Sequence, residues 1–275
     1  MSDPVVRPSG LRQRIPTAIA LAVLLVFDLF ALPPIATLLL IALVLLVGAW
    51  EWSAFLQTVR PMRIAYVAMI AFGVLVFDPR ALAPFELDLL LVTSAIWWLA
   101  AFAWIVFAPA KSSPVLTALA GVLALIPTGA ALGYLRLADQ RGAWLVLFVL
   151  VVIMAADVGA YFFGHLFGRV KLAPRVSPGK TWEGVLGGVL LSQLLAAVGA
   201  VAFGWPLEWL APLALAAVGF SIVGDLTESL LKRQTGVKDS GRWLPGHGGV
   251  LDRIDSLVAG VPIFVLGLMR AGLVL

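Results

Sequence analysis

Long apolar runs alternate with short polar connections along nearly the whole chain. A helix needs roughly 20 apolar residues to cross hydrocarbon. On that measure the pattern predicts nine spans, at 15–32, 34–56, 63–78, 85–108, 114–135, 143–166, 183–204, 208–231 and 256–274. Each run is expected to be helical, because an open strand would leave backbone N–H and C=O groups unpaired in lipid. The first two form a tight hairpin around Pro33 and Pro34. Small residues recur in two later runs, with Gly184, Gly187 and Gly188 in one and Ala211, Ala214, Ala216, Ala217 and Gly219 in the other. Their ordinary meaning is close helix approach, including at a dimer interface.

Composition agrees with that pattern. Of 275 residues, 62% are hydrophobic and 12% charged, against about 45–50% and about 25% in soluble domains. The expected fold class is an all-α polytopic membrane protein. Neither an internal repeat nor a low-complexity linker divides the chain, so residues 1–275 read as a single integral membrane domain. Residues 1–14 are its basic N-terminus, 15–140 its N-terminal helices, and 141–275 the helices and loops that carry chemistry. There is no cysteine, which excludes a disulfide framework or a thiolate metal site. No cleavable signal peptide is expected, because the first apolar run continues into the second without a small-residue cleavage site.

Placement of charge sets the orientation. With the N-terminus inside, 15 of the 19 Lys and Arg residues fall on cytoplasmic segments; Arg80, Arg136, Arg141 and Arg270 fall outside. This positive-inside bias places the N-terminus in the cytoplasm and, after nine spans, the C-terminus in the periplasm. The two most charged loops, 165–182 and 232–255, then share the cytoplasmic face. Arg7, Arg12 and Arg14 could also attract anionic lipid, at roughly 1 kcal/mol each.

Several polar residues lie where packing alone gives no reason for them. Asp157 sits inside an apolar run, with Tyr161 one turn later on the same face and Gly164 and His165 beyond. A mid-helix acid costs about 2.5–3.5 kcal/mol and needs a partner or a wet cavity. Asp225, Glu228, Ser229 and Lys232 recur at spacings of three and four, on one helix face. Asp252 and Asp255 follow at i and i+3 around Arg253. Such carboxylates beside basic residues suit a hard cation such as Mg²⁺, which prefers oxygen ligands and bridges to phosphates.

Between Ser229 and Asp255 lie five basic and three acidic residues, a histidine and five glycines. Gly246, Gly248 and Gly249 around His247 permit the close backbone approach that phosphate-cradling loops need. In the other loop, Ser177, Lys180 and Thr181 precede a helix whose free N–H groups favour anions. A P-loop is rejected there, since position 174 is Pro174 rather than glycine and no strand is expected before it.

The string Ser229-x-Leu231-Lys232-Arg233, four residues, Lys238-Asp239-x-Gly241, two residues, Leu244-Pro245-x-His247-Gly248-Gly249-Val250-x-Asp252-Arg253-Ile254-Asp255 resembles the signature of the bacterial phosphatidate cytidylyltransferases, or CDP-diacylglycerol synthases. The upstream Ser177-Pro178-x-Lys180-Thr181-Trp182-Glu183-Gly184 and Asp157-x-x-Ala160-Tyr161-x-x-Gly164 elements resemble that family as well. Over the first ~140 residues the resemblance is one of hydropathy only. One departure is Gly179, where many members carry a lysine, so Lys180 lacks a basic neighbour.

The resemblance implies that CTP and phosphatidic acid react to give CDP-diacylglycerol and pyrophosphate with Mg²⁺, a step of phospholipid biosynthesis. It further implies a homodimer in the bacterial inner membrane, a cavity open to cytoplasm and lipid, and a monovalent cation such as K⁺ beside Mg²⁺. No nucleic-acid partner is expected. Within that reading Asp225 and Asp252 hold the metals, and Asp255 ligates directly or supports a ligand. Lys232, Arg253 and Lys180 neutralise phosphates, while Lys238 and Asp239 order the loop or contact nucleotide. Ser177, Thr181, Ser229, Arg233, His247, Gly248 and Gly249 belong to the substrate site, and Asp157 and Tyr161 line its cavity.

Three other readings remain. A CTP-dependent lipid-alcohol kinase would release CDP instead. A CDP-alcohol phosphotransferase should carry a DG-x-x-AR string, which is absent. A transporter of an anionic solute should show paired halves with helices interrupted in matching positions.

Overall fold

The computed structural model describes residues 11–107, 109, 112–241, 243 and 248–274, with side chains from Pro16 onward. The expected runs are all present as helices: α1 (Leu11–Ala31), α2 (Pro34–Phe55), α3 (Arg60–Val76), α4 (Pro84–Phe107), α5 (Pro114–Ala138), α6 (Gly142–Phe167), α7 (Trp182–Phe203), α8 (Leu207–Thr235) and α10 (Leu257–Arg270). Between α8 and α10 lies the single turn α9 (Leu251–Ile254). Six of the helices, α2 and α4 to α8, are long and apolar enough to cross a membrane. The chain is therefore a multi-pass membrane protein. The three shorter ones complete the bundle.

Local chemistry explains the boundaries. Pro34 and Pro114 open α2 and α5, where a missing N–H costs nothing. Ser113 and Thr181 cap α5 and α7 by accepting from the N–H groups of Leu116 and Gly184, each at 3.1 Å. Helices α7 and α8 end on Gly204 and Gly236 in the left-handed conformation.

Two elements differ from expectation. The loop 165–182 contains a hairpin, β1 (Lys171–Ala173) antiparallel to β2 (Ser177–Thr181), with Lys171 opposite Thr181. A strand therefore does run into α7, which corrects one ground for rejecting a P-loop. The other ground stands: Pro174 occupies the glycine position, and Lys180 lies on the strand itself. A short helical turn, α9, also stands just before the last run, in the loop 232–255. Asp255 and Ser256 separate α9 from α10, and the Asp255 carboxylate accepts from the Ser256 N–H at 2.8 Å. Both residues keep right-handed helical dihedrals, φ −56° and ψ −39° at Asp255 and φ −72° and ψ −38° at Ser256, so the hydrogen-bond ladder is interrupted while the chain keeps its helical path.

The stripe of small residues in α7 packs against α6. A Cβ on Gly188 would lie 2.6 Å from the Ala156 carbonyl oxygen, and one on Gly184 would lie 2.9 Å from that of Ala160. The two backbones thus meet almost directly. At the far end of the bundle, Arg270 closes on Asp88 at 2.6 and 2.7 Å, tying α10 to α4.

Candidate active site

Helices α6, α7 and α8, strand β2 and the α9–α10 break enclose a polar cavity of about 350 Å³. Asp157 and Tyr161 line it from α6, Lys180 and Thr181 from β2, Asp225 from α8, and Asp252, Arg253 and Asp255 from α9 and the break. The close approach of α6 and α7 leaves glycines rather than side chains on one wall, at Gly184 and Gly188. Eight of the predicted site residues thus come together from segments up to about 100 positions apart in sequence.

Two lysine–carboxylate pairs organise the polar groups. Strand β2 carries Lys180 to Asp225, with Nζ 2.7 Å from Oδ2. Ser229, one turn along α8, donates to Asp225 Oδ1 at 3.3 Å. A further turn on, Lys232 reaches Asp252 at 2.8 Å and Glu228 at 3.3 Å. Glu228 is buried and neither of its oxygens accepts a hydrogen bond, with the Lys232 ammonium beside it.

Asp252 also organises its own loop. Its carboxylate accepts from the N–H groups of Ser240, at 3.1 and 3.2 Å, and of Gly249, at 2.8 Å. Removal from water would raise its pKa, but the Lys232 ammonium and the Gly249 N–H together hold it below the usual carboxylate range. Three donors on about four lone-pair positions leave Asp252 capacity toward the cavity it lines.

The sequence reading missed Glu51, on α2. It is 2% exposed and accepts from the N–H groups of Val250 at 3.1 Å and Leu251 at 2.7 Å, and from the Ser240 hydroxyl at 3.3 Å. Side chains on Gly241 or Gly249 would overlap its carboxylate. These two glycines therefore leave room for an acid delivered by a distant helix. The signal was present: an acid between Trp50 and Trp52 in a membrane-spanning run marks a functional residue by default.

Electrostatics favour a bound cation. Asp157, Asp225, Glu228, Asp252 and Asp255 stand against Lys180, Lys232 and Arg253, so the acids outnumber the bases in and beside the cavity. Removal from water, with Asp225 and then Asp157 nearby, pushes Asp255 up to about 7. A donor set made only of oxygens matches a hard divalent ion. Among the described residues no three acids form a ready-made ligand set, so such an ion would complete its shell with water or substrate oxygens.

The remaining predicted residues lie elsewhere. Ser177 begins β2 outside the cavity lining, and Arg233, Lys238 and Asp239 are exposed at the end of α8 and in the loop beyond. Gly248 takes a left-handed conformation, φ 80°, beside Asp239 and Asp252. His247 lies outside the described residues, as do Gly246 and the chain before residue 11.

The model of the cytidylyltransferase family matches residues 12–269. A phosphatidate cytidylyltransferase of Haemophilus influenzae is 38% identical over 92% of this chain and 97% of its own length. That of Pseudomonas aeruginosa is 41% identical over 95% and 98%. A Brucella suis phosphatidate cytidylyltransferase reaches 48% over 143 residues, about half of each chain (49% and 50%). Family match and full-length relatives together place the chain in the cytidylyltransferase family.

Proposed function

We propose that this protein is a phosphatidate cytidylyltransferase of the bacterial inner membrane, its cavity facing the cytoplasm, converting CTP and phosphatidic acid to CDP-diacylglycerol and pyrophosphate. The observation that carries the reading is the cavity itself: the Lys180–Asp225 pair, Asp252, Arg253 and Asp255 gathered in one recess among membrane helices, with Lys232 bound to Asp252 from outside the lining. Two polyanions must meet there, one dissolved in water and one anchored in lipid.

A phosphate oxygen of phosphatidic acid attacks the α-phosphorus of CTP; the bond to the β-phosphate oxygen breaks, and pyrophosphate leaves with that electron pair. No side chain need act as nucleophile. What the chain supplies is positioning and fixed charge. Lys180 and Arg253 draw the two phosphates together against their repulsion. Lys232 holds Asp252, and through it the loop, in place. Asp225 and Asp252, with Asp255 beside them, are the residues that would hold Mg²⁺, which when bound offsets charge on phosphate oxygens. A monovalent cation such as K⁺ and a homodimeric assembly belong to the same proposal.

Purified protein given CTP labelled at the α-phosphate, phosphatidic acid and Mg²⁺ should move label into the organic phase. Asp225→Asn should lower that rate at least a hundredfold while the protein stays folded. Label left in water as CDP, with phosphate moved to a lipid alcohol, would establish a lipid kinase instead.

A further inference from the structure

A second cavity, of about 280 Å³, lies between α1, α2, α5 and α6 and reaches the α9 turn. Its walls are leucine, isoleucine and valine side chains with two threonines, Thr37 and Thr128. Among the described residues one charged side chain lines it, Arg253, and Arg253 also lines the polar cavity. Two chambers of opposite character thus share a cationic residue in their common wall. From Leu45 to Thr37 the apolar chamber follows α2 for eight residues, about 12 Å at 1.5 Å per residue.

The ligand that fits both chambers at once has an anionic head and a long apolar tail. We infer that the apolar cavity receives one acyl chain of the phosphatidic acid whose phosphate lies beside Arg253, so that α1, α2, α5 and α6 act as the enzyme's gauge of chain length. This rests on the function proposed above and adds a place for the tail. It also gives work to the N-terminal helices, where no motif was found. Val250 and Ile254, neighbours of Arg253 on the turn, line the near end of the chamber, and Leu132 and Thr37 lie farther along it.

Leu40→Phe and Leu132→Phe would fill that chamber. The readout is the ratio of kcat/KM for dipalmitoyl over dioctanoyl phosphatidic acid, with the KM for CTP measured alongside. Each substitution is expected to lower that ratio at least fivefold, because a short tail needs less of the chamber. A parallel change for both lipids, or none for the long one, would overturn the assignment.

Native protein supplies an independent readout through phosphatidic acid carrying a diazirine near one acyl terminus. Crosslinks are expected on peptides 21–25, 37–45 and 128–132, and should be lost on adding unlabelled phosphatidic acid but not phosphatidylcholine. Equal loss with phosphatidylcholine would mean that bulk lipid occupies the chamber, and would refute the inference. Native protein that crosslinks specifically yet turns over no phosphatidic acid would sink the proposed function and leave the acyl site standing.

Discussion

Glu51 holds the start of α9 in place from a helix about 200 residues earlier in the chain. Replacing it with alanine would strand two backbone N–H groups in a buried setting, and each such group costs about 1–3 kcal/mol. Glu51→Ala is therefore expected to lower thermal stability in detergent and to reduce cytidylyl transfer more than tenfold. Glu51→Gln, which keeps one acceptor, should fall between it and the native protein. An unchanged melting temperature for the alanine variant would show that the loop holds itself. Lys232 invites a similar comparison. It balances both Glu228 and Asp252, at 3.3 and 2.8 Å, and removing one partner of a buried ion pair costs about 3–5 kcal/mol. Lys232→Ala should thus unfold at distinctly lower temperature than Lys180→Ala, since Lys180 answers a single, more accessible carboxylate. Equal melting temperatures would show that Lys232 serves substrate charge alone.

Among the elements, the α6–α7 contact fixes the width of the polar cavity. Adding a branched side chain at Gly188 would drive it into the Ala156 carbonyl, and overpacking of this kind costs about 1–3 kcal/mol. Gly188→Val is expected to lose that stability and to lose turnover as well, because Gly188 lines the cavity; native turnover and melting would mean that the helices can separate freely. The glycines themselves were legible as close-approach positions, and so were the helices, because a membrane span declares itself by unbroken hydropathy. The β1–β2 hairpin did not. Its strands are three and five residues long and include Pro178 and Gly179, so neither β-propensity nor alternation marks them. The α9 turn was hidden for a related reason: its four residues belong to the charged loop signature by sequence, and the apolar run begins only after them. Of the site, the residues on regular spacing were readable, namely Asp157 with Tyr161 and Asp225 with Ser229 and Lys232. Glu51 stood out as an acid in an apolar run, but its role was not readable, since its partners are backbone groups that only the folded loop brings to it.

Taken whole, the bundle separates two ends. Lys180 meets Asp225 and Lys232 meets Asp252 at the end carrying both charged loops, while Arg270 meets Asp88 at the other. This arrangement agrees with the bias of basic residues and predicts which loops water reaches from each side. The chain contains no cysteine, so a single introduced thiol reports its own location without any background to remove. Lys238→Cys, in the signature loop, and Asp139→Cys, between α5 and α6, are both exposed positions at opposite ends. In intact cells a membrane-impermeant maleimide should label Asp139→Cys and spare Lys238→Cys until the inner membrane is opened. CTP is a cytoplasmic, membrane-impermeant substrate, so the reverse labelling would place the cavity on the wrong side of the bilayer for the proposed reaction. Labelling of both thiols in intact cells would instead mean an odd number of crossings had been misassigned between residues 139 and 238, and α7 or α8 would have to re-enter rather than span.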